Sequence, residues 1–258
     1  MRVHYNRVIT SGVTPFCVGK SQKRFFVHTS LVESFPKSIT RNVKVKDGAA
    51  IIEDVNEDAF SCACEFAYTG DYSVPLPVPM SPGARKDHDS NDSPAQRGAK
   101  RWNSENLLQN LFHPRKFPAL SRTIEEKLED LSAVCMPYIN DDPLEDHSEI
   151  FLTHARVYRF SNRPGWISLN TLAFYNLAHA LHDFTLFEQR VTDIVGLLRF
   201  VFEESEYMEN LQHLLRNYAV WHVETLMQNA AFRGLLERLP QLEKYIFRAM
   251  WDVNEALL

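Results

Sequence analysis

Cysteine is scarce. The 258 residues contain 4, at Cys17, Cys62, Cys64 and Cys135. None form a C-x-x-C pair, which argues against a disulfide-stapled scaffold and implies a reducing compartment. Met1–Tyr5 opens no apolar leader. No apolar run approaches the ~18 residues that span a membrane. We therefore expect a cytoplasmic and/or nuclear protein with no membrane partner. Catalytic signatures are missing too: there is no G-x-S-x-G, no H-E-x-x-H and no Gly-rich dinucleotide fingerprint.

The net charge of −5 hides an uneven distribution. Residues 1–74 are net +1, residues 75–122 net +4 and residues 123–258 net −10. An acidic C-terminal half argues against broad phosphate-backbone binding, so no nucleic-acid partner is expected. With 45% apolar residues the chain is long enough to bury a core, as one large domain or two small ones.

Residues 13–27 predict a hairpin of β-branched and aromatic strands around a polar turn at 19–23. Short helices are expected at 29–35 and 38–42, and a strand at 49–52. Asn56 is placed to cap a helix whose first turn holds Glu57 and Asp58, where the dipole favours anions. Phe60, Ala63, Cys64 and Ala67 follow at helical spacing, and Gly70 suits the C-cap. Five prolines interrupt the polar stretch 75–103, which cannot bury enough apolar surface to offset its ordering entropy and is expected to be disordered. A helix is expected over 124–138, followed by an acidic linker over 141–149. From residue 150 the pattern is helical almost without pause. It includes a stripe through Leu169, Leu177 and Leu181, a capping box at Thr185 and Glu188, and a helix opened by Pro240. The fold class expected is α+β, mainly α.

Phe25-Phe26-Val27-His28, Ser34, Ile51-Ile52-Glu53-Asp54-Val55, Phe60 and Phe66-Ala67-Tyr68-Thr69-Gly70-Asp71-Tyr72 together resemble the BTB/POZ domain. The flavour is similar to the large fungal group, which runs F-x-V-H, a Leu/Ser-containing helix, a short strand, then a helix ending Y-T-G-D-Y. His154-Ala155-x-Val157-Tyr158 and the Leu169–Leu181 stripe resemble that group's fourth and fifth helices. The resemblance implies a BTB-like α/β cluster at 8–74 and 150–186. A long insertion at 75–149 divides it, and a helical extension at 187–258 follows. The chain departs from the group at Asn162-Arg163-Pro164-Gly165-Trp166, where many members read A-D-x-Y.

The remaining candidates point mostly to structure. Phe26, Phe60 and Tyr68 are expected in the core, interface contact being the alternative. Gly19-Lys20-Ser21 lacks the earlier glycine of a P-loop and sits in a hairpin. His179 and His182 share a helix face but have no third ligand. Cys62 and Cys64 point about 200° apart on a helix and cannot chelate together. His28 has no nucleophile placed beside it by sequence. We expect no cofactor, no metal, no catalytic residue and no small-molecule substrate.

Two functional classes follow. The resemblance implies a protein-interaction module that forms homodimers or docks a cullin as a ubiquitin-ligase adaptor. The alternative is a nuclear dimerisation or transcription-regulatory scaffold. Cullin-binding members carry a hydrophobic-x-Glu motif near the third strand. Its best match here is Val45-Lys46-Asp47, making Val45 and Asp47 the candidate interaction residues. Aspartate is one methylene shorter than glutamate, so a hydrogen bond tuned to glutamate would be stretched by about 1 Å. Cullin binding is therefore expected to be weak or absent.

Overall fold

The computed structural model describes residues 5–40, 44–79, 140, 142–203 and 208–255. Of the stretch expected to be disordered, residues 80–103 lie outside them, as does the helix expected at 124–138; residues 75–79 are described and end in a strand, against that expectation. Two compact units are present. One is built from Met1–Pro75 with Thr153–Tyr175, the other from Leu76–Leu152 with Asn176–Leu258. The architecture is α+β and mainly helical, with a small mixed sheet.

In the first unit a short helix α1 (Tyr5–Thr10) precedes strands β1 (Val13–Val18) and β2 (Lys23–His28). The predicted hairpin forms in antiparallel register, with Val18 opposite Lys23. Two one-turn helices follow, α2 (Thr29–Val32) and α3 (Lys37–Thr40). A second hairpin was not anticipated: β3 (Lys44–Lys46) pairs antiparallel with β4 (Ala49–Ile52). Strand β4 runs parallel to β1, giving the sheet order β2-β1-β4-β3.

Helix α4 (Glu57–Thr69) has the ends that its sequence predicts. Asn56 Oδ1 accepts the Ala59 N–H at 2.9 Å, and Gly70 closes the helix at φ +80°. Its Phe60 packs against Phe16 and Phe25 of the sheet, at ring distances of 5.3 and 5.2 Å. Phe60 is fully buried, as expected. Phe26 is not: it is 64% exposed, against the expectation of a core position. The reason is strand parity. Phe16, Phe25 and Val27 share the face that meets α4, and Phe26, between two of them, points the other way on an edge strand.

Helices α5 (Ser148–Asn162) and α6 (Ile167–Asp183) each contribute residues to both units. The turn between them, flagged as a departure from the BTB pattern, passes through Gly165 at φ +70°. It buries Trp166 against Phe35 and Phe66, at ring distances of 4.9 and 5.8 Å. Pro164 O accepts the Ser38 hydroxyl at 3.0 Å.

In the second unit β5 (Val78–Pro79) pairs antiparallel with β6 (Glu145–Asp146), so the stretch expected to be a solvated acidic linker contains a strand. The capping box expected at Thr185 and Glu188 does not form. Thr185 is instead held by Asn140, whose amide group donates to Thr185 O at 3.0 Å and accepts its N–H at 2.6 Å. A 3-10 turn (Glu188–Arg190) then leads into α7 (Val191–Glu203). Helices α8 (Glu209–Trp221), α9 (Val223–Gln228), α10 (Ala230–Arg238) and α11 (Pro240–Glu255) complete the unit. Their apolar stripes bury Leu197, Leu215, Tyr218, Phe232, Leu235 and Leu242. The Arg216 guanidinium lies over Phe202 and Tyr245, each at 5.6 Å.

Candidate functional site

Val45 and Asp47 lie on the β3–β4 hairpin. Register pairs Lys46 with Ala49, leaving Asp47-Gly48 as a two-residue loop. Both have positive φ, +52° and +76°. A type I′ turn needs that geometry, and Asp-Gly is among the dipeptides that adopt it most readily. Val45 projects from the edge strand at 72% exposure, and Asp47 is exposed at the tip. The two candidates therefore share one exposed hairpin, and the turn gives a reason for an aspartate at position 47 independent of any partner. Replacing Asp47 with asparagine should leave urea-denaturation midpoints unchanged. Asp47→Glu should cost up to about 1 kcal/mol, because a longer side chain tolerates left-handed backbone less well. A glutamate variant as stable as wild type would show that the turn has another conformation.

Two tyrosine–histidine pairs join segments that are far apart in sequence. Tyr68 Oη meets His28 Nδ1 at 2.7 Å and accepts the His28 backbone N–H at 3.2 Å. The His28 and Tyr68 rings also pack edge to face, with centres 5.8 Å apart. Past Gly70 the chain turns back, with Glu65 accepting both the N–H and the hydroxyl of Ser73 at 2.8 and 2.6 Å. Tyr72 between them hydrogen-bonds His154 Nδ1 of α5 at 2.7 Å. His154 is buried, and desolvation pushes its pKa down to about 3 from an ordinary 6.5.

That shift sets a pH dependence. Between about 3 and 6.5 the unfolded imidazole binds a proton that the folded one refuses. Stability therefore rises with pH across this window and is lost as pH falls from 6.5 towards 3. One such site contributes a slope of up to about 1.4 kcal/mol per pH unit. Chemical denaturation of wild type and His154→Gln from neutral pH downwards should show the steeper loss in wild type. Parallel curves would mean that His154 is hydrated in the folded state.

A third polar cluster surrounds Arg190, which is buried with Asp193. Arg190 donates to Asp193 from Nε at 3.1 Å and from Nη2, and Nη2 also reaches Asp146 at 3.2 Å. The His147 backbone N–H donates to Asp193 at 3.0 Å. Burial raises the Asp146 pKa, but the Ser148 N–H and hydroxyl together with Arg190 outweigh it and hold the carboxyl below its usual range. Sequence reading missed this cluster. Its local signal was the i, i+3 spacing of Arg190 and Asp193, which surface pairs also show.

Of the other candidates, the His179 and His182 rings meet edge to face with centres 6.3 Å apart. His179 pairs with Asp183 at 2.9 Å on the same helix. Burial, followed by the charges of Glu65 and Asp58, pushes the Cys62 thiol up to about 11, and burial pushes Cys64 up to about 12. Among the described residues no group of three side chains is placed to hold a metal ion. No described helix is long and apolar enough to cross a membrane. Comparison of the chain with protein-family models, curated proteins and solved structures finds no match in any of the three.

Proposed function

We propose that the chain is a protein-interaction module of the BTB type, binding a second copy of itself or a cullin and acting by contact, without catalysis. The observation that carries this reading is the mutual bonding of the motif residues. The histidine of F-x-V-H is held by the first tyrosine of Y-T-G-D-Y, and the histidine opening the α5 motif by the second. Motifs far apart in sequence thus close one small α/β unit. The exposed Val45 hairpin supports the module reading as a place for contact.

The test is the light-scattering mass of the full chain, alone and mixed with a cullin N-terminal domain. A dimer mass alone supports self-association. A mixed complex that Val45→Ala abolishes supports the adaptor role. The mass of a single chain under both conditions removes both forms of the reading.

A further inference from the structure

The unassigned feature of the first unit is the sheet face turned away from α4. Register places four residues in one row across all four strands. Arg24 lies opposite Cys17, Cys17 beside Ile51, and Ile51 opposite Lys44. The row therefore reads cation, apolar, apolar, cation. Three inter-strand steps separate its ends by about 14 Å. Along β1 and β2 the same face continues through Pro15 opposite Phe26, and then Val13. Phe26 and Val13 are 64% and 55% exposed, and Arg24 and Lys44 are exposed at the two edges.

Charge on the sheet has one sign. The four strands hold Lys23, Arg24, Lys44 and Lys46 and contain no Asp or Glu. Among the described residues neither Arg24 nor Lys44 forms an ion pair. An exposed aromatic on an apolar strip between two unneutralised cations is an arrangement that folding alone does not require. Lysines on an edge strand do discourage sheet-to-sheet aggregation, but that role gives no reason for Phe26.

We propose that this face docks an extended acidic segment of a partner protein, with a carboxylate, an apolar side chain and a second carboxylate at positions i, i+2 and i+4. In an extended chain those three side chains point the same way, and i to i+4 spans about 13 Å, close to the separation of Arg24 and Lys44. The carboxylates meet the two cations, and the central side chain packs on Cys17, Ile51 and Phe26. This deepens the interaction-module reading and rests on it.

The experiment pans a phage-displayed library of short random peptides against the full chain. Synthetic copies of enriched peptides are then titrated against wild type and variants. The expected enrichment is acidic-x-apolar-x-acidic. Arg24→Glu and Lys44→Glu, on different strands, should each weaken binding by about ten-fold or more, with steeper salt dependence in wild type. Phe26→Ser should weaken it comparably, and Ile167→Ser, at an exposed apolar position outside the sheet, should leave it unchanged. Circular dichroism confirms that each variant is folded. No enrichment, enrichment without acidic bias, or binding indifferent to Arg24, Lys44 and Phe26 overturns the proposal. So does equal competition by vesicles of phosphatidylcholine and phosphatidylserine, which would assign the face to a membrane surface. Peptides that depend on Val45 instead would sink this surface while leaving the module reading intact. A chain that selects no peptide and stays monomeric with and without the cullin domain fails both.

Discussion

Replacing Asp193 with alanine is expected to destabilise the protein by about 3–5 kcal/mol, the usual cost of leaving a buried charge without its partner. Asp193 is 0% exposed and Arg190 is 2% exposed. In the native state the Asp193 carboxylate accepts two guanidinium N–H groups and the His147 backbone N–H. The alanine variant keeps the guanidinium, the amide and the desolvation, and loses the charge that offset them. Asp146, 39% exposed and 3.2 Å from Nη2, is a weaker, solvent-screened substitute. Urea denaturation should show a lower midpoint with an unchanged slope.

The same cluster separates two ideas about buried ion pairs. If Arg190 and Asp193 are replaced together by methionine and leucine, the loss should be far smaller than for Asp193→Ala alone. Desolvation of both charges then disappears along with their attraction. Removing the salt bridge as a unit is close to neutral, and breaking it is not. A double variant as unstable as the single one would mean that the His147 N–H, left without an acceptor, carries most of the cost. A loss below about 1 kcal/mol for Asp193→Ala would mean that water reaches Arg190.

What could be read from sequence was local and periodic. The first hairpin, the Asn56 and Gly70 caps and the helix opened by Pro240 were legible because each depends on a few neighbouring residues. The β3–β4 hairpin was passed over although Asp47-Gly48 signals such a turn and Lys44-Val45-Lys46 alternates, because a strand of three residues is too short to stand out as a periodic run. Thr185 misled for a different reason. A Thr-x-x-Glu spacing predicts a cap only where the backbone is free to begin a helix. Here Thr185 spends its backbone groups on Asn140, 45 residues earlier in the chain. Long-range partners of that kind also built the Arg190 cluster and the tyrosine–histidine pairs. The candidate site was legible as a segment, Val45 to Asp47, but the exposed row from Arg24 to Lys44 was not. Its members come from four strands, and they align only once register is known. Phe26 shows the limit most directly: composition argues for burial of a phenylalanine in a strand, and only parity against Phe25 and Val27 turns it outward.

Phe60→Ala and Phe26→Ala should therefore differ widely. Phe60 is 0% exposed and lies within 5.2 to 6.1 Å, ring to ring, of Phe16, Phe25 and Phe160. Truncation removes the transfer energy of the ring and leaves a cavity among three aromatics that are themselves packed on the sheet and on α5. Rigid rings cannot collapse into the space, so the expected loss is about 3–5 kcal/mol. Phe26 leaves no cavity, and its alanine variant should fall within about 0.5 kcal/mol of wild type. Thermal and urea denaturation of the two variants side by side decide the matter. A Phe60 loss under about 1 kcal/mol would mean that the α4–sheet interface is loose and its core lies elsewhere. A large Phe26 loss would mean that something in the chain covers the outward face, and the docking surface would then be an internal contact.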